Sequence, residues 1–326
     1  MEGSEEKFVI FHFIITFAPK YLNYKLMKRL FIQLNVAILL LLAVSFHCQG
    51  ADNYTMKYNL EKGKTYKQHS ITDMTMAMSA MGQDMKMNMT MGIDINYDVI
   101  DKSNEVYNIR MNYQRIKMDI TSPTALSLDS DTPENSSDKN AAELLKSLVG
   151  VPLDIQLTEQ GKVTSIKGVD SLISKINATG NPQFKQMFNQ QFSENTIQKS
   201  IEQFSAYFPD KQVAIGDNWD ITTTISSSGI DIINKMTLTL KQVSNNVATI
   251  EFTGTLATPE GGAVTHIQGM DAKVSVKGTQ SGTIQLNLKT GWIVRSEIDQ
   301  KFDQNIEVMG QTMPQQIETK TTVTGE

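Results

Sequence analysis

The sequence predicts an α+β protein, mainly antiparallel β, in which a curved sheet or open half-barrel carries a helical cap. Three observations predict this class. Most of the chain after residue 51 alternates apolar and polar residues, which is the period of a half-buried strand. Short polar turns separate these segments, as in antiparallel hairpins. Parts of residues 139–208 instead space their apolar side chains three and four apart, which is typical of amphipathic helices.

The first fifty residues predict an N-terminal extension and a signal peptide. The basic residues Lys25, Lys28 and Arg29 precede the apolar run Leu30–Phe46. Basic residues followed by a short apolar segment form the usual order of a secretory signal. We therefore expect this part of the chain to be removed during export.

Cleavage is expected between Gly50 and Ala51, where small residues provide a suitable site. The true start is expected at Met27, because a signal peptide normally begins just before its basic residues. A membrane anchor is the alternative, but the apolar run is short and interrupted by polar residues. Lipid attachment at Cys48 is disfavoured by the large His47 before it. The sequence thus predicts a protein of the periplasm or the cell surface.

The composition argues against several kinds of partner. The chain has 30 basic and 35 acidic residues, a formal net charge of −5, and no cluster of basic residues. This argues against binding to nucleic acid or to an anionic membrane surface. The single cysteine precedes the expected cleavage site, so the mature chain would depend on its core and not on disulfides. No later segment is apolar enough for a transmembrane helix, and the sequence makes no prediction of oligomeric state.

The most unusual segment is Ile71–Gly92, which holds eight of the 18 methionines. The methionines recur at every second residue, so one face of each extended strand would carry thioethers and the other polar side chains. An interruption at residues 80–84 contains Gly82 and predicts a hairpin turn. Two paired strands would then share one face of methionines, formed by Met74, Met76, Met78, Met85, Met87, Met89 and Met91.

The first β half is predicted at residues 51–121, as a meander of strands joined by short turns. Its strands are predicted at Tyr54–Leu60, Tyr66–Ser79, Met85–Ile100 and Glu105–Ile120. Residues 122–138 are acidic and contain two prolines, which predicts a solvated loop. A calcium loop is the alternative there, but the glycine and the terminal glutamate of such loops are missing.

A helical insert is predicted at residues 139–208, with a hairpin at 153–167. Asp138 can cap the first helix, and Pro182 suits the first turn of a later one. Five of the seven phenylalanines beyond the signal lie in residues 184–208. We expect this region to form an apolar cap over the concave face of the sheet. The phenylalanines assigned to a ligand groove are Phe184, Phe188, Phe192 and Phe204.

The second β half, residues 211–326, resembles the first. Gly63 precedes Tyr66 by three residues, as Gly216 precedes Trp219, and each aromatic residue opens a long strand. Polar turns follow at 102–104 and at 244–246, and residues 154–163 later correspond to 285–293. We therefore predict an internal duplication within one β-rich domain, residues 51–326.

No catalytic residue is predicted. Beyond the signal the chain has two histidines, His69 and His266, and lacks the motifs of zinc proteases, serine hydrolases and phosphate-binding loops. Asp217 and Asp220 flank Trp219, but aspartate is common where a strand begins. We expect neither an enzyme nor a cofactor.

Three roles are open for the methionine face. It can be the core of the sheet beneath the helices. It can be one wall of a groove for a lipid-like ligand, because methionine adapts to irregular partners. It can also bind Cu(I) together with the nearby His69, because thioethers are soft ligands. A flat row of sulfur atoms offers no single focus for an ion, so no metal-site residues are assigned.

Six segments together resemble a known family. They are L-E-K-G-K-T-Y, the methionine strand with M-G-Q, Y-D-V-I-D-K-S-N, G-V-P-L-D-I-Q-L-T-E-Q-G-K-V, F-P-D-K-Q-V-A-I-G-D-N-W and G-T-I-Q-L-N-L-K-T-G-W-I. Over nearly the whole mature chain they look like a family of exported, β-rich proteins of unknown function from Gram-negative bacteria. The resemblance implies a secreted or periplasmic β protein and supplies no catalytic residues. By architecture alone, a half-barrel with a helical lid is also similar to periplasmic lipoprotein carriers and related lipid-binding proteins.

The predicted function is that of a non-enzymatic binder of a hydrophobic or lipid-like ligand in the cell envelope. The first alternative is an envelope structural or interaction protein without a small ligand. The second alternative is a methionine-rich periplasmic Cu(I)-binding protein.

Overall fold

The structure is a computed structural model that describes residues 52–80, 83–121, 125–178, 193–205, 207–227, 230–267 and 270–326. Residues Asn53–Glu326 form one compact unit. The predicted extension, the signal peptide and the cleavage site at Gly50 and Ala51 lie outside the described residues, so these remain predictions.

The described residues contribute thirteen strands to one antiparallel sheet. The strands are β1 Thr65–Ala80, β2 Gln83–Ser103, β3 Val106–Ile120, β4 Leu126–Asp129, β5 Leu153–Thr158, β6 Val163–Lys167, β7 Asn218–Ser227, β8 Ile230–Ser244, β9 Val247–Ala257, β10 Ala263–Ile267, β11 Met270–Asn287, β12 Ile293–Val308 and β13 Gln311–Gly325.

The path through the sheet runs β6-β5-β3-β2-β1-β13-β12-β11-β9-β8-β7. β4 pairs with β3 beside this path, and β10 pairs with β11. The two outer strands of the path, β6 and β7, are not paired with each other, so the sheet is open. The predicted class, a mainly antiparallel protein with a curved open sheet, is confirmed.

The predicted duplication is visible in the strand order. The first half contributes β6-β5-β3-β2-β1, and the second contributes β12-β11-β9-β8-β7 in the matching order. β13, the last strand, lies between β1 and β12 and pairs antiparallel with both. The C-terminal strand therefore joins the two halves into one sheet.

The hairpin turns repeat in the same way. Asn104 and Glu105, between β2 and β3, have φ values of 49° and 65°. Asn245 and Asn246, between β8 and β9, have φ values of 50° and 61°. Two consecutive left-handed residues form the two-residue turn that matches the twist of paired strands. The two hairpins thus share one turn geometry.

The turns that enter the two halves are also built alike. Gly63 has a φ of 79° and donates its N–H to the carbonyl of Val99 at 2.8 Å. Gly216 has a φ of 98° and donates its N–H to the carbonyl of Leu240 at 2.7 Å. Immediately after each acceptor the register of the strand shifts by one residue. Matching turns and bulges confirm that the halves are similar.

Residues 54–60, predicted as a strand, are extended but form only an isolated bridge between Tyr54 and Val213. Alternate side chains of this segment, including Met56 and Tyr58, are nevertheless buried. The alternation therefore predicted which side chains are buried, but the backbone bonds singly to other segments, with Tyr58 donating to the carbonyl of Glu159 at 2.7 Å, and forms no ladder.

Residues 122–138 are only partly the solvated loop that was predicted. β4 lies within them, and its Leu128 is 2% exposed. Arg115 donates to the Asp129 carboxylate through Nε at 3.1 Å, and this hydrogen bond holds the pKa of Asp129 below its usual value. A short 3-10 turn follows at Pro133–Asn135. The prediction was wrong here because a four-residue strand is too short to stand out against acidic neighbours.

The described part of the predicted insert contains three helices: α1 Lys139–Leu148, α2 Val169–Ala178 and α3 Glu194–Ser205. Asp138 caps α1, since its side chain accepts a hydrogen bond from the N–H of Ala141 at 3.0 Å. α1 packs against β3, β4 and α2. The hairpin β5–β6, which was expected within the helical insert, pairs with β3 and continues the sheet.

Helix α3 contacts both outer strands of the sheet, β6 and β7. Gln198 donates its side-chain amide to the carbonyl of Val163 at 3.1 Å, and Glu202 accepts a hydrogen bond from the Val163 N–H at 3.0 Å. Because an α-helix is about 10 Å wide, two strands that contact the same helix lie near each other. The sheet therefore curls around a common interior.

One face of the sheet, which we call the inner face, is buried. At one end of the strands it is a solid aromatic core. The ring of Trp292 lies 5.1 Å from that of Tyr66 and 5.2 Å from that of Tyr97. Tyr58 and Phe208 meet edge to face at 5.0 Å, a favourable geometry for aromatic pairs. We call this end of the interior the aromatic end.

Candidate ligand-binding face

The seven predicted methionines form a ladder on β1 and β2. Met74, Met76 and Met78 lie directly opposite Met89, Met87 and Met85 in the antiparallel register, and Met91 lies opposite Thr72. Side chains opposite each other in such a pair have Cβ atoms about 5 Å apart. We call these seven residues the methionine ladder.

The methionine ladder is half-buried and is not solid core. Met85 is 40% exposed, and the other six methionines are intermediate in exposure. On the same two strands at the aromatic end, Tyr66 is 2% exposed and Val99 is 2% exposed. The inner face thus changes along β1 and β2 from close packing to a partly accessible apolar surface.

His69 does not share a face with the methionine ladder. It lies at an odd position of β1, whereas the methionines of that strand lie at even positions, and successive side chains point to opposite faces. Its Nδ1 pairs with the carboxylate of Asp94 across the strand. The suggestion that His69 joins the methionines in a copper site was therefore wrong.

The phenylalanines assigned to the groove cannot be placed beside the ladder. Phe184, Phe188 and Phe192 lie outside the described residues. The backbone of Phe204 belongs to α3, while its side chain is not described. The predicted helical wall of the groove therefore remains a prediction.

Polar side chains on the inner face form a continuous chain that the sequence analysis missed. Thr319 donates its hydroxyl to Oε1 of Gln300 at 3.1 Å, and Gln300 donates its Nε2 to Oε1 of Gln280 at 2.9 Å. Gln280 then donates to Asn234, whose Nδ2 donates to the hydroxyl of Thr223 at 3.2 Å. We call these five residues the amide belt.

A glycine allows the amide belt to cross β9. Gly254 lies between Met236 of β8 and Gln280 of β11 in the sheet. A Cβ at this position would lie 3.2 Å from Nε2 of Gln280 and inside contact distance of the carbonyl of Lys235. The missing side chain lets the Gln280 amide lie over the backbone of β9 and reach Asn234.

The amide belt runs into the methionine ladder. Gln280 lies opposite Gln300, Gln300 lies opposite Thr319, and Thr319 lies opposite Met74. Met74 in turn lies opposite Met89. One row across five strands therefore passes from amides to thioethers.

The amide belt also separates two apolar clusters. The main core contains Leu238 and Ile250 at the aromatic end. A smaller cluster of Ile230, Val274 and Val276 lies on the other side of the belt. The alternation of inward and outward residues in β11 places Gln280 on the inner face between Val276 and Ile284. The position of Gln280 could therefore have been predicted from the sequence.

Around the methionine ladder and the amide belt, the inner face of the described strands carries no charged side chain. From Tyr66 to Met78 on β1, from Ser296 to Val308 on β12 and from Ala272 to Leu286 on β11, the inward positions hold apolar, amide or hydroxyl residues and glycine. Charged residues of the same strands lie at the outward positions. The side chains that can form hydrogen bonds on this part of the inner face are therefore uncharged.

The tyrosines at the aromatic end are neutral as well. Burial raises the pKa of Tyr113 to about 12 and raises the pKa values of Tyr58, Tyr97 and Tyr207 further above the usual value. The hydroxyl of Tyr207 is buried and has no hydrogen-bond partner among the described residues. None of these phenols ionises near neutral pH.

The sequence matches the model of a family of unknown function, DUF6263, over residues 104–293. The chain belongs to this family. The match starts at the turn between β2 and β3 and ends at the start of β12, so it includes parts of both halves. The predicted membership of a β-rich family of unknown function is confirmed, while export remains a prediction. No curated protein matches the sequence.

The solved structures that match this chain do so with TM-scores below 0.5 in the three cases that follow. Lipovitellin, from a structure of its lipid–protein interactions, matches with a TM-score of 0.47 and 10% identity over 82% of this chain and 25% of its own. The translocator domain of the autotransporter NalP from Neisseria meningitidis matches with a TM-score of 0.21 and 5% identity over 82% and 89%. An outer membrane channel from Pseudomonas putida F1 matches with a TM-score of 0.20 and 8% identity over 82% and 97%. The chain spans about a quarter of the length of lipovitellin.

The described residues contain neither a cluster of metal ligands nor a helix that could span a membrane. No three His, Cys, Asp or Glu side chains in this part of the chain converge on a point where they could hold a metal ion. In the same residues, no helix has the length and apolar character needed to span a membrane.

Proposed function

We propose that this protein is an exported, non-enzymatic binder of a hydrophobic or lipid-like ligand in the cell envelope. The methionine ladder carries the proposal. It is an apolar surface that lies on the buried face of the sheet yet stays half-exposed, whereas the aromatic end of the same strands is closely packed. A surface of this kind is stabilised when an apolar ligand covers it.

Methionine suits such a surface. Its unbranched side chain has three rotatable bonds and a polarizable sulfur, so a row of methionines can adjust to acyl chains of different shape. Leucine or phenylalanine at the same positions would give the apolar surface one fixed shape. The seven methionines of the ladder therefore favour binding of a class of related ligands and not of a single ligand.

The chemistry of the inner face favours binding over catalysis. Around the methionine ladder and the amide belt its polar groups are amides and hydroxyls, which donate and accept hydrogen bonds but do not titrate near neutral pH. The buried phenols at the aromatic end are neutral too. A ligand on this face would be held and oriented without an acid–base group beside it.

Native mass spectrometry of the protein, extracted gently from its own envelope fraction, tests the proposal. We expect a bound mass that organic solvent removes and that tandem fragmentation assigns to a lipid. A protein that never carries lipid, and that also fails to take up a hydrophobic fluorescent probe after delipidation, would overturn the proposal. That result would favour the structural or interaction protein instead.

Export has its own test, which does not depend on the ligand. Fractionation followed by N-terminal sequencing should place the mature protein outside the cytoplasm with Ala51 as its first residue. A protein that keeps residues 27–50 and stays in the cytoplasm would contradict export while leaving ligand binding open.

A further inference from the structure

We infer that the inner face selects ligands with an uncharged, hydrogen-bond-accepting head, such as an ester or amide carbonyl, which binds at the amide belt while the acyl chain lies on the methionine ladder. This inference rests on the proposed function and names the class of ligand. It concerns the end of the belt formed by Gln300, which is partly exposed, and Thr319, which is 9% exposed.

Unused donors are the first observation. A primary amide has two N–H donors, and each amide of the belt uses one of them along the chain of hydrogen bonds. Within the described residues, these are the hydrogen bonds that the side-chain amides of Gln300, Gln280 and Asn234 donate, so the second N–H of each can meet a further acceptor. Because an unsatisfied buried donor is unfavourable, an oxygen of a ligand would complete the site.

The position of Gln300 is the second observation. Asn234 is 1% exposed and Gln280 is 6% exposed, so the packed interior already covers them. Gln300 is intermediate in exposure and lies one strand from Thr319 and two strands from Met74 in the same row. Adjacent strands are about 4.8 Å apart, so a head at Gln300 leaves its chain within reach of the methionines.

The neutrality of the inner face is the third observation. Around the methionine ladder and the amide belt, no Lys or Arg lies at the inward positions of the described strands, so a carboxylate or phosphate head would lose water without gaining a counter-charge. Burying an unpaired charge is far less favourable than burying a hydrogen-bonded dipole. An ester keeps the acceptor oxygen and avoids this penalty, which predicts a preference for neutral heads.

A role in strand register is the competing explanation for the amide belt. Polar side chains that bond across strands can fix the pairing without contacting a ligand. The two explanations differ in what the loss of one amide changes. If the amide binds the ligand, its loss weakens the binding of one kind of ligand more than that of another. If the amide fixes the strand register, its loss lowers stability and weakens the binding of all ligands alike.

The test is a displacement assay with the delipidated full mature protein and N-phenylnaphthylamine, a neutral fluorescent probe. Methyl oleate, monooleoylglycerol, oleate and octadecene are the competing ligands. At about pH 8 the two esters should displace the probe at least about tenfold better than oleate. They should also bind more tightly than the headless hydrocarbon.

Gln300→Met is the diagnostic variant, because methionine keeps the length of the side chain and removes the amide. Gln316→Met is its matched control, since Gln316 lies on the outward face of β13 and is exposed. Gln300→Met should weaken ester binding about fivefold to tenfold, the effect of one hydrogen bond, and leave octadecene unchanged. The control should behave as the wild-type protein.

A second measurement needs no variant. The affinity of the wild-type protein for oleate should rise as the pH falls from about 8 to about 5, because protonation makes the head neutral. Affinity for methyl oleate should stay constant over the same range.

The outcomes separate the two proposals. If oleate binds as well as the esters at both pH values, or if Gln300→Met weakens every ligand equally, the inference about the head is overturned and the binding function stands. If the wild-type protein binds neither the probe nor any of the four ligands, the proposed function falls and the inference falls with it.

Discussion

Glu105 and Asn246 occupy the same position in the two halves of the sheet. Each is the second residue of a two-residue hairpin turn, with φ values of 65° and 61°. The carbonyl of Glu105 accepts a hydrogen bond from the N–H of Glu159 at 3.1 Å, and that of Asn246 accepts one from the N–H of Leu288 at 2.8 Å. The same backbone is thus built with glutamate in one half and asparagine in the other.

Replacing Glu105 with glycine should stabilise the protein by about 0.5–1 kcal/mol, because a left-handed residue with a Cβ costs about 1–2 kcal/mol and glycine avoids it. The matched change Asn246→Gly should have a smaller effect, since asparagine tolerates this conformation better. Urea unfolding of both variants measures the difference. Equal gains, or a loss in Glu105→Gly, would contradict the role assigned to this turn.

Gly282→Ala should destabilise the protein by about 2–3 kcal/mol, the upper range for overpacking a core. An added Cβ would lie 2.8 Å from the ring of Phe252 and inside contact distance of the carbonyl of Glu297. Gly92→Ala is the control within another strand, where only the Cβ of Lys117 lies near, at 3.9 Å. That variant should be neutral or slightly more stable, and calorimetry would compare the two midpoints.

Glu159→Gln should remove a pH-dependent contribution to stability. Glu159 is 5% exposed; burial opposes its ionisation, but hydrogen bonds from Lys102 and Lys57 outweigh this and lower its pKa below 4.5. A carboxyl whose pKa is lower in the folded than in the unfolded protein stabilises the fold at pH values above its unfolded-state pKa. This contribution is lost as the pH falls through the folded-state pKa. At neutral pH we expect a loss of about 2 kcal/mol in the free energy of unfolding.

Unfolding curves from neutral pH to below pH 4.5 should show wild-type and Glu159→Gln proteins converging at the acid end. Glu251→Gln is the control, because Glu251 pairs with Lys241 at 3.1 Å while both side chains are about half-exposed. An exposed pair contributes less than about 1 kcal/mol. A constant difference between wild-type and Glu159→Gln at all pH values would argue against the ionised form as the source.

Oxidation by dilute hydrogen peroxide should follow the exposure of the methionines. Met309 is 85% exposed and should react first, Met85 is 40% exposed and should follow, and Met236, 6% exposed, should react last. Peptide mass spectrometry measures each rate. A bound apolar ligand should protect Met85 and leave Met309 unchanged; equal protection of both, or of neither, would contradict the placement of the ligand.

Alternation predicted the β architecture well, because a sheet with one buried face repeats every two residues. The duplication was predicted from glycines and polar turns, and the structure gives these the same backbone geometry. Alternation was less useful where glycine replaced an inward side chain. β11 runs unbroken through Gly278, where Phe302 of β12 covers the space that a Cβ would occupy.

The amide belt and the position of α3 show what the sequence did not reveal. Gln280 and Gln300 fall on the inward alternation, yet their hydrogen bonds depend on which strands become neighbours, and β13 joins the halves from a distance of more than two hundred residues along the chain. The spacing of apolar residues in α3 predicted a helix but not its partners. Contact with both outer strands follows only from the curvature of the whole sheet.

The outer strands β6 and β7 have a consequence for the behaviour of the protein in solution. An outer strand with free backbone groups is a template for joining another molecule, and such joining leads to fibrils and insoluble assemblies. A single helix of 12 residues contacts both outer strands here. A chain without this helix would expose both outer strands at once, so we expect it to aggregate more readily than the full chain.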